Sequence, residues 1–356
     1  MKNCVHYFGA GPAALPHDVK QQIQADILCY QDLPVSILEL SHRSVEFTEI
    51  LNKARAQLRL LYAIPEHYHI LFMTGGATAQ FDAVPLNLLG HSKSATYIDT
   101  GIWSRKAANL ASKYGEINIA NGLEQKQGLT ACLDPSLWDI KEDSTYVHIT
   151  PNETVDGIEL REIKKHHTLV ADMTSCLLIQ AFDINDFGLI YCGAQKTVGI
   201  AGVTIVIVRD DLLKQAVPQV PEMLDYAQHV KDHSIVNTAP VFACYVAQLM
   251  LDWAQANGGV EVLCQQAQQR ATLLYAEIDQ HPGLINTICT KDRSNINVVF
   301  DFARQGACDE FIRLAAENGL HGLQGHRQNG GVRASMYNGT PMHAVEKLRE
   351  IILSVA

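Results

Sequence analysis

Residues 73–81 read Met73-Thr74-Gly75-Gly76-Ala77-Thr78-Ala79-Gln80-Phe81, and they join an apolar run to a helical pattern. The run at 69–73 (HILFM) is typical of a buried strand, and residues 79–89 have the composition of a helix. A strand that passes through two glycines into a helix exposes backbone N–H groups at the positive end of that helix. Such an end binds phosphate, although the same residues also suit a tight turn without a ligand.

Strand-like and helical segments alternate on both sides of this stretch. Residues 47–61 keep apolar side chains at the three- and four-residue spacing of an amphipathic helix. Short runs rich in Val, Ile, Leu and Tyr follow at 95–99, 145–150, 168–175, 189–192 and 203–208. Buried strands that alternate with helices predict an α/β domain with a mainly parallel sheet flanked by helices.

The pattern changes near residues 254–259, where a long helix begins. For a chain of 356 residues, the expected number of domains is about two. We therefore predict a large domain over residues 16–257 and a smaller α+β domain over residues 258–356. The N-terminal segment 1–15 is predicted to join the smaller domain.

Composition excludes several classes of protein. The chain is 47% hydrophobic and 19% charged, as globular proteins are, and its net charge of −10 argues against nucleic acid as the main partner. No apolar run is long enough to span a bilayer, and no signal peptide is visible. Nine cysteines without a CxxC pair favour a reducing compartment over a disulfide framework. We expect a cytoplasmic protein with no membrane, nucleic-acid or metal site.

Two charged residues follow apolar strands in the first domain. Lys196 ends Tyr-Cys-Gly-Ala-Gln-Lys, and burial there would lower its pKa and make the amine a nucleophile. A lysine at a strand end more commonly reaches solvent. Asp172 ends another apolar run, where it could pair with a protonated ring nitrogen or cap a turn. Both residues are predicted to end successive βα-type strands, and thus to share the edge of the sheet where ligands bind.

A phosphate cradle, an acid for a pyridinium and a lysine for an imine together describe a site for pyridoxal phosphate. Trp103 follows another strand-like run and could stack on the cofactor ring. As a lone feature, a tryptophan is more often part of a core or an interface.

The chain resembles the phosphoserine aminotransferases, which are class-V pyridoxal-phosphate enzymes of fold type I. The resemblance rests on GGATAQF, Trp103, PNETVDG, ADMTS and YCGAQK, and on SHR ending at Arg43, Asn237-Thr238, HGLQGHR and GGVRASMYN. These motifs occur in order from FGAGPAALP to the closing helix and cover essentially the whole chain. Two positions depart from many or some members: Thr78 replaces an arginine, and Ala10 replaces a serine.

The resemblance implies a role for each matching residue. Lys196 would bind the cofactor covalently, one per subunit, and Asp172 would bind its pyridinium nitrogen. Trp103 would stack on the ring, and Thr154 would bond to its hydroxyl group. The cofactor phosphate would contact Ala77, Thr78 and Gln195, with Asn237 and Thr238 lent by the second subunit of a homodimer. The phosphate and carboxylate of the substrate would contact His42 and Arg43, also lent across the dimer, and His326, Arg327 and Arg333.

The implied reaction is reversible transamination between glutamate and 3-phosphohydroxypyruvate, which gives 2-oxoglutarate and O-phosphoserine for serine biosynthesis. A second substrate pair, based on 4-phosphohydroxythreonine, would serve pyridoxine biosynthesis. Local cationic clusters in an acidic protein suit a substrate that carries both a phosphate and a carboxylate.

Two alternatives remain. One is a class-V lyase such as a cysteine desulfurase, but Cys264, Cys289 and Cys308 lack the context of a nucleophilic loop cysteine. The other is a non-catalytic protein that binds pyridoxal phosphate, against which the intact Lys196 and Asp172 argue.

Overall fold

The computed structural model describes residues 5–90, 93–163, 168–214, 216 and 220–356. Its α-helices are α1 (His17–Asp26), α2 (Val45–Tyr62), α3 (Gly76–Leu88), α4 (Ile102–Ala111), α5 (Tyr226–Lys231), α6 (Val241–Ala256), α7 (Gly259–Gln280), α8 (Ala307–Glu317) and α9 (Met342–Val355). Its strands are β1 (His6–Tyr7), β2 (Tyr68–Met73), β3 (Ser94–Asp99), β4 (Glu116–Asn121), β5 (Leu123–Lys126), β6 (Leu129–Cys132), β7 (Val147–Ile149), β8 (Asn152–Glu153), β9 (Ile158–Glu159), β10 (Leu169–Asp172), β11 (Leu189–Gly193), β12 (Thr204–Arg209), β13 (Leu284–Ile285), β14 (Asn297–Phe302), β15 (Leu320–His321) and β16 (Val332–Ser335).

Among the described residues, seven strands form the central sheet in the order β2-β12-β11-β10-β7-β3-β4. The strands from β11 to β4 run parallel to their neighbours, whereas β12 runs antiparallel to both β11 and β2. Every residue of β10 and β11 is buried, which explains why these strands read as continuous apolar runs. The predicted α/β class with a mainly parallel sheet is confirmed.

Helices cover both faces of this sheet. Ser44 caps α2 by accepting a hydrogen bond from the Phe47 amide at 3.1 Å, and the apolar stripe of α2 is buried on one face together with α6. Helices α3 and α4 pack on the opposite face, where Phe81 and Ala107 share a cluster with Tyr191.

Two local expectations differ from the structure. Helix α3 begins at Gly76, three residues before the helical pattern, because Gly75 adopts the left-handed conformation (φ 95°) that turns the chain directly into the helix. Strand β11 is followed by a turn that leads into the antiparallel β12, so Lys196 does not belong to a βα unit. Asp172 is the last residue of β10, and this strand leads through turns and the short 3₁₀ segment Ile184–Asp186 to β11, so Asp172 does not belong to a βα unit either. The two residues nevertheless lie at the carboxyl ends of adjacent parallel strands, β10 and β11.

The C-terminal part has a core of its own. Strands β13, β14 and β16 form an antiparallel sheet, and Leu274, Phe311 and Leu348 of the surrounding helices pack in one cluster. Phe8 belongs to the same cluster, and β1 pairs in parallel with β15. The domain limits at 16–257 and 258–356 stay a prediction. In the described part of the chain, we find no helix with the length and apolar character needed to cross a membrane.

Candidate active site

The predicted site residues follow the carboxyl ends of strands that point the same way. Lys196 follows β11, Asp172 ends β10, and Thr154 lies in the turn between β8 and β9, the short hairpin that follows β7. Trp103 comes after β3, and the first turn of α3 comes after β2, which runs in the same direction as β11 because β12 opposes both. This edge of an open α/β sheet is where ligands bind.

Lys196 is a half-buried residue between charged and aromatic groups. Its Nζ is 5.5 Å from the centre of the Trp103 ring. Burial lowers the pKa of Lys196, although the negative charges of Asp172 and Glu153 oppose that shift. A lower pKa gives the amine more of its neutral form at physiological pH, so Lys196 has the character of a nucleophile.

Asp172 is a buried carboxylate. Burial raises its pKa, while hydrogen bonds from Thr174 and Tyr191 and the positive charge of Lys196 oppose that shift. The Thr174 amide donates to Oδ1 of Asp172 at 3.0 Å. Among the described residues, Asp172 has no arginine or lysine within ion-pair distance, so its charge is free to pair with a protonated ring nitrogen.

The first turn of α3 faces the loop that carries Gln195. The first N–H groups of a helix have no partner within the helix, and Gly75 provides no side chain to cap α3. A Cβ atom on Gly193 would lie 3.2 Å from the amide nitrogen of Ala77 and 2.6 Å from Oε1 of Gln195. A glycine at 193 therefore leaves open the space between Ala77 and Gln195, and this cradle fits a phosphate group.

The Trp103 ring is held by two neighbouring residues. Its Nε1 donates a hydrogen bond to Oγ1 of Thr154 at 3.1 Å. The Glu153 carboxylate accepts from the backbone amides of Trp103 (3.2 Å) and Ser104 (2.8 Å), at the first turn of α4. Glu153 is completely buried, and burial raises its pKa to about 7. Glu153 and Thr154 thus fix the position of an aromatic ring beside Lys196.

Arg333 reaches the same turn from the C-terminal sheet. Its Nη1 donates to the Thr154 carbonyl at 3.4 Å, whereas its buried Nε has no hydrogen-bond partner in the described part of the chain. A guanidinium with an unpaired N–H edge suits a carboxylate. His326 and Arg327 lie in the loop between β15 and β16, half-buried and exposed respectively. The Asn329 side chain of this loop donates to Oδ1 of Asp156 at 2.6 Å.

Four predicted residues are not brought to this cluster. His42 and Arg43 lie in the turn before α2, and Asn237 and Thr238 lie in the exposed turn before α6. Within the described ranges, no hydrogen bond, ion pair or ring contact joins any of the four to Lys196. Their roles, like the other site assignments, stay predictions.

Sequence reasoning gave no role to several residues that shape the site. Glu153 and Tyr191 stand inside quoted motifs, and each is a polar side chain in a buried segment. His148 is a single histidine in an otherwise apolar strand, which is a weak signal of a buried polar network. The need for glycine at 193 could not be read from the sequence, because it depends on a neighbour 116 positions away, Ala77.

Comparison with known proteins places this chain in one class. The family model described as Aminotransferase class-V matches residues 5–348. That range includes each of the strands that carry site residues.

The relatives narrow the class further. Phosphoserine aminotransferase from Acinetobacter baumannii (strain ACICU) is 43% identical over 96% of this chain and 95% of its own length. The solved phosphoserine aminotransferase from Bacillus circulans subsp. alkalophilus superposes with a TM-score of 0.94 at 37% identity, covering 98% of this chain and 97% of that one. The PLP-bound phosphoserine aminotransferase from Trichomonas vaginalis gives a TM-score of 0.92 at 31% identity, over 98% and 100% of the two chains. The chain therefore belongs to the phosphoserine aminotransferase family of class-V aminotransferases, as its motifs predicted.

Proposed function

We propose that this chain is a pyridoxal-phosphate-dependent aminotransferase that interconverts glutamate plus 3-phosphohydroxypyruvate and 2-oxoglutarate plus O-phosphoserine, as a step of serine biosynthesis. The observation that carries the proposal is the position of Lys196, beside Trp103 and in the field of Asp172, in a chain whose relatives are phosphoserine aminotransferases.

The site fits pyridoxal phosphate. The cradle between Ala77 and Gln195, where Gly193 leaves room, suits the cofactor phosphate, and Asp172 suits its ring nitrogen. When bound, pyridoxal phosphate supplies an electron sink that stabilises the carbanion formed at the substrate α-carbon.

The chain's own residues supply the proton transfers. Lys196 would hold the cofactor through its amine, and once the amino substrate takes its place, the free amine would accept the proton of the substrate α-carbon as a general base. The same amine would then deliver this proton, as a general acid, to the C4′ carbon of the cofactor. Asp172 would keep a proton on the ring nitrogen, and Trp103 would cover the ring and exclude water from it.

Cationic side chains select the substrate. Arg333 offers its unpaired N–H edge to the α-carboxylate that all the substrates share. His326 and Arg327 add positive charge from the loop before β16. His42 and Arg43 are assigned to the substrate phosphate of the neighbouring subunit. The phosphorylated substrates carry one carboxylate and one phosphate, and glutamate and 2-oxoglutarate carry a second carboxylate in place of the phosphate, so each substrate offers two anionic groups to these side chains.

We further propose a homodimer with shared active sites, located in the cytoplasm. Asn237 and Thr238 are exposed and have no contact with Lys196, which is consistent with a contribution to the cofactor phosphate of the second subunit. The family resemblance also supports a second activity, on 4-phosphohydroxythreonine in pyridoxine biosynthesis.

The function is tested by single half-reactions followed through the cofactor absorbance. Protein loaded with pyridoxal phosphate is mixed separately with O-phosphoserine and with glutamate, and each is expected to convert the cofactor to its amine form. Absence of a response to O-phosphoserine would contradict the substrate assignment. Release of sulfide from cysteine would support the lyase alternative, and absence of any conversion would support a non-catalytic binding protein.

A further inference from the structure

A cavity of about 700 Å³ lies away from the candidate active site, where the N-terminal segment meets α6, α7 and α9. We call it the Arg270 cavity. Its lining includes the charged residues Asp18, Lys20 and Arg270 and the histidines His6, His17 and His343. None of the residues assigned to the cofactor or the substrate lines it. The cavity therefore needs an explanation of its own.

Arg270 is a buried cation without a counter-charge. Its side chain lines the cavity, yet the residue is only 5% exposed. One Nη atom donates weakly to the Met336 carbonyl at 3.4 Å, and the buried Nε has no hydrogen-bond partner in the described residues. Among these residues no carboxylate forms an ion pair with Arg270. Burial lowers the pKa of Arg270 to about 10, so the side chain stays charged at neutral pH. An unpaired buried charge is unfavourable, and an anion would relieve it.

Two helix N-termini open onto the same cavity. Helix α1 begins after Pro16 and α9 begins after Pro341, and neither N-cap residue makes a side-chain capping bond. Both prolines line the cavity. The first turn of each helix therefore has unpaired N–H groups and the positive end of a helix dipole at this place.

The other formally charged residues of the lining are Lys20 and Asp18, which have opposite charges, and two of its histidines are in contact. The rings of His6 and His343 contact each other edge to face, with centroids 4.9 Å apart. Burial and the positive charges of His343, Lys347 and Lys20 lower the pKa of His6. The acid that lines the cavity, Asp18, is exposed in the first turn of α1. The uncompensated charge of the cavity is thus the guanidinium of Arg270, at its buried side.

We propose that the Arg270 cavity binds a small organic anion whose carboxylate or phosphate group pairs with the Arg270 guanidinium. The lining is partly apolar, with Tyr7, Leu15, Trp253 and Met342 available to the body of the ligand. The volume is in the range of cavities that hold a small metabolite. The site is distinct from the cofactor and substrate sites of the proposed reaction.

Calorimetric titration of the pyridoxal-phosphate-loaded protein tests this proposal, with inorganic phosphate and with succinate as probes. Arg270→Met removes the charge and keeps an apolar stem, and Arg313→Met is the matched control, because Arg313 is a surface arginine paired with Glu317. At least one probe is expected to bind wild-type protein and Arg313→Met equally, and Arg270→Met about tenfold or more weakly, as the loss of charge-assisted hydrogen bonds implies. The affinity of either probe for the active site should be the same in both variants as in wild-type protein.

Equal stoichiometry and affinity in wild-type protein and Arg270→Met, for both probes, would overturn the proposal. So would the absence of binding by either probe outside the active site. If Arg270→Met does not fold, the double variant Lys20→Met/His343→Ala replaces it, because both side chains are exposed at the rim of the cavity. This variant is expected to bind the probe several-fold more weakly, and unchanged affinity would count against the site.

Discussion

The Tyr191 hydroxyl lies 2.8 Å from Nε2 of His148 and is also a hydrogen-bond partner of the Asp172 carboxylate. Burial lowers the pKa of His148 to about 3, so its ring is neutral. With Tyr191 donating to Asp172, the hydroxyl oxygen accepts from Nε2–H of His148, a tautomer that we assign from the network. The chain of hydrogen bonds therefore ends on the carboxylate that is assigned to the cofactor ring nitrogen.

We predict that Tyr191→Phe lowers kcat and leaves the KM of both substrates within about twofold. Removing the donor raises the pKa of Asp172 further, and a carboxylate that protonates more readily is a weaker partner for a pyridinium. Hydrogen bonds to charged groups contribute roughly 1.5–3 kcal/mol, so a fall in kcat of about tenfold or more is expected. Steady-state kinetics and the pH dependence of the cofactor absorbance measure the effect.

Tyr146→Phe is the matched control for this prediction. It also removes one buried hydroxyl, which bonds to that of Tyr97 at 2.8 Å. A similar fall in kcat for both variants would mean that Tyr191 acts only through packing.

Lys196→Ala is expected to abolish turnover and the visible absorbance of the cofactor imine. The side chain is the assigned base as well as the point of covalent attachment, so no other group can replace both roles. Lys106→Ala is the control, because Nζ of Lys106 lies 5.3 Å from the same Trp103 ring, where Nζ of Lys196 lies at 5.5 Å. Retained turnover and absorbance in purified Lys196→Ala would refute the assignment.

Glu153→Gln tests the pH dependence of stability. The pKa of Glu153 is raised from its ordinary value of 4.5 to about 7, so the folded state binds this proton more tightly than the unfolded state does. The contribution of Glu153 to stability is therefore largest below about pH 4.5 and is lost as the pH rises through about 7. A glutamine does not titrate. The variant should gain stability relative to wild-type protein between about pH 5 and pH 8, by up to about 3 kcal/mol.

Urea unfolding at several pH values measures this difference. Glu124→Gln is the control, because Glu124 is exposed and its substitution should leave the pH profile unchanged. A constant difference between Glu153→Gln and wild-type protein across the range would show that Glu153 does not titrate in this window.

Much of this fold could be predicted from the sequence, because the residues that indicate each of these strands and turns are close together in the chain. Apolar runs predicted β2, β3, β10 and β11, and the glycine pair predicted the phosphate cradle. The turn after β11 was assigned wrongly to a βα unit, since nothing near Lys196 distinguishes a helix from a return strand. Strand β4 lies at the edge of the sheet and alternates polar and apolar residues. It therefore contains no apolar run by which the sequence could have predicted it.

The site depends more than the fold does on contacts between residues that are far apart in the sequence. Lys196 and Asp172 could be predicted from their strands, but the roles of Glu153 and His148 depend on contacts made in three dimensions. Glu153 bonds to amides some 50 positions earlier in the chain, and His148 bonds to Tyr191, 43 positions later. No periodicity in the sequence connects such pairs.

Arg333→Ala is expected to raise the KM of glutamate and of the phosphorylated substrate by about tenfold or more, because both carry the α-carboxylate that the guanidinium pairs with. The cofactor spectrum should stay the same, since Arg333 is not assigned to the cofactor. Arg313→Ala, on the surface, should leave both KM values unchanged. Normal KM values for both substrates would remove Arg333 from the substrate site.

Hybrid dimers test whether His42 and Arg43 serve the neighbouring subunit. Lys196→Ala and Arg43→Ala chains are co-expressed with different tags, and the hybrid is isolated by two-step purification. If Arg43 acts across the dimer, one of the two sites in the hybrid combines Lys196 of one chain with Arg43 of the other and is intact. The hybrid should then have about half of the wild-type activity. If Arg43 serves its own subunit, each site lacks one residue, and activity should not exceed that of the parents.

The control hybrid combines Lys196→Ala with Asp172→Ala. Strands β10 and β11 are adjacent in one sheet, so Lys196 and Asp172 belong to the same chain's site. In the proposed homodimer both sites of this hybrid are therefore damaged, and it should stay inactive. Recovery in the Arg43 hybrid but not in the Asp172 hybrid would assign Arg43 to the partner's site, whereas recovery in both would indicate contamination by wild-type enzyme, because exchange between the two variant chains yields only damaged sites.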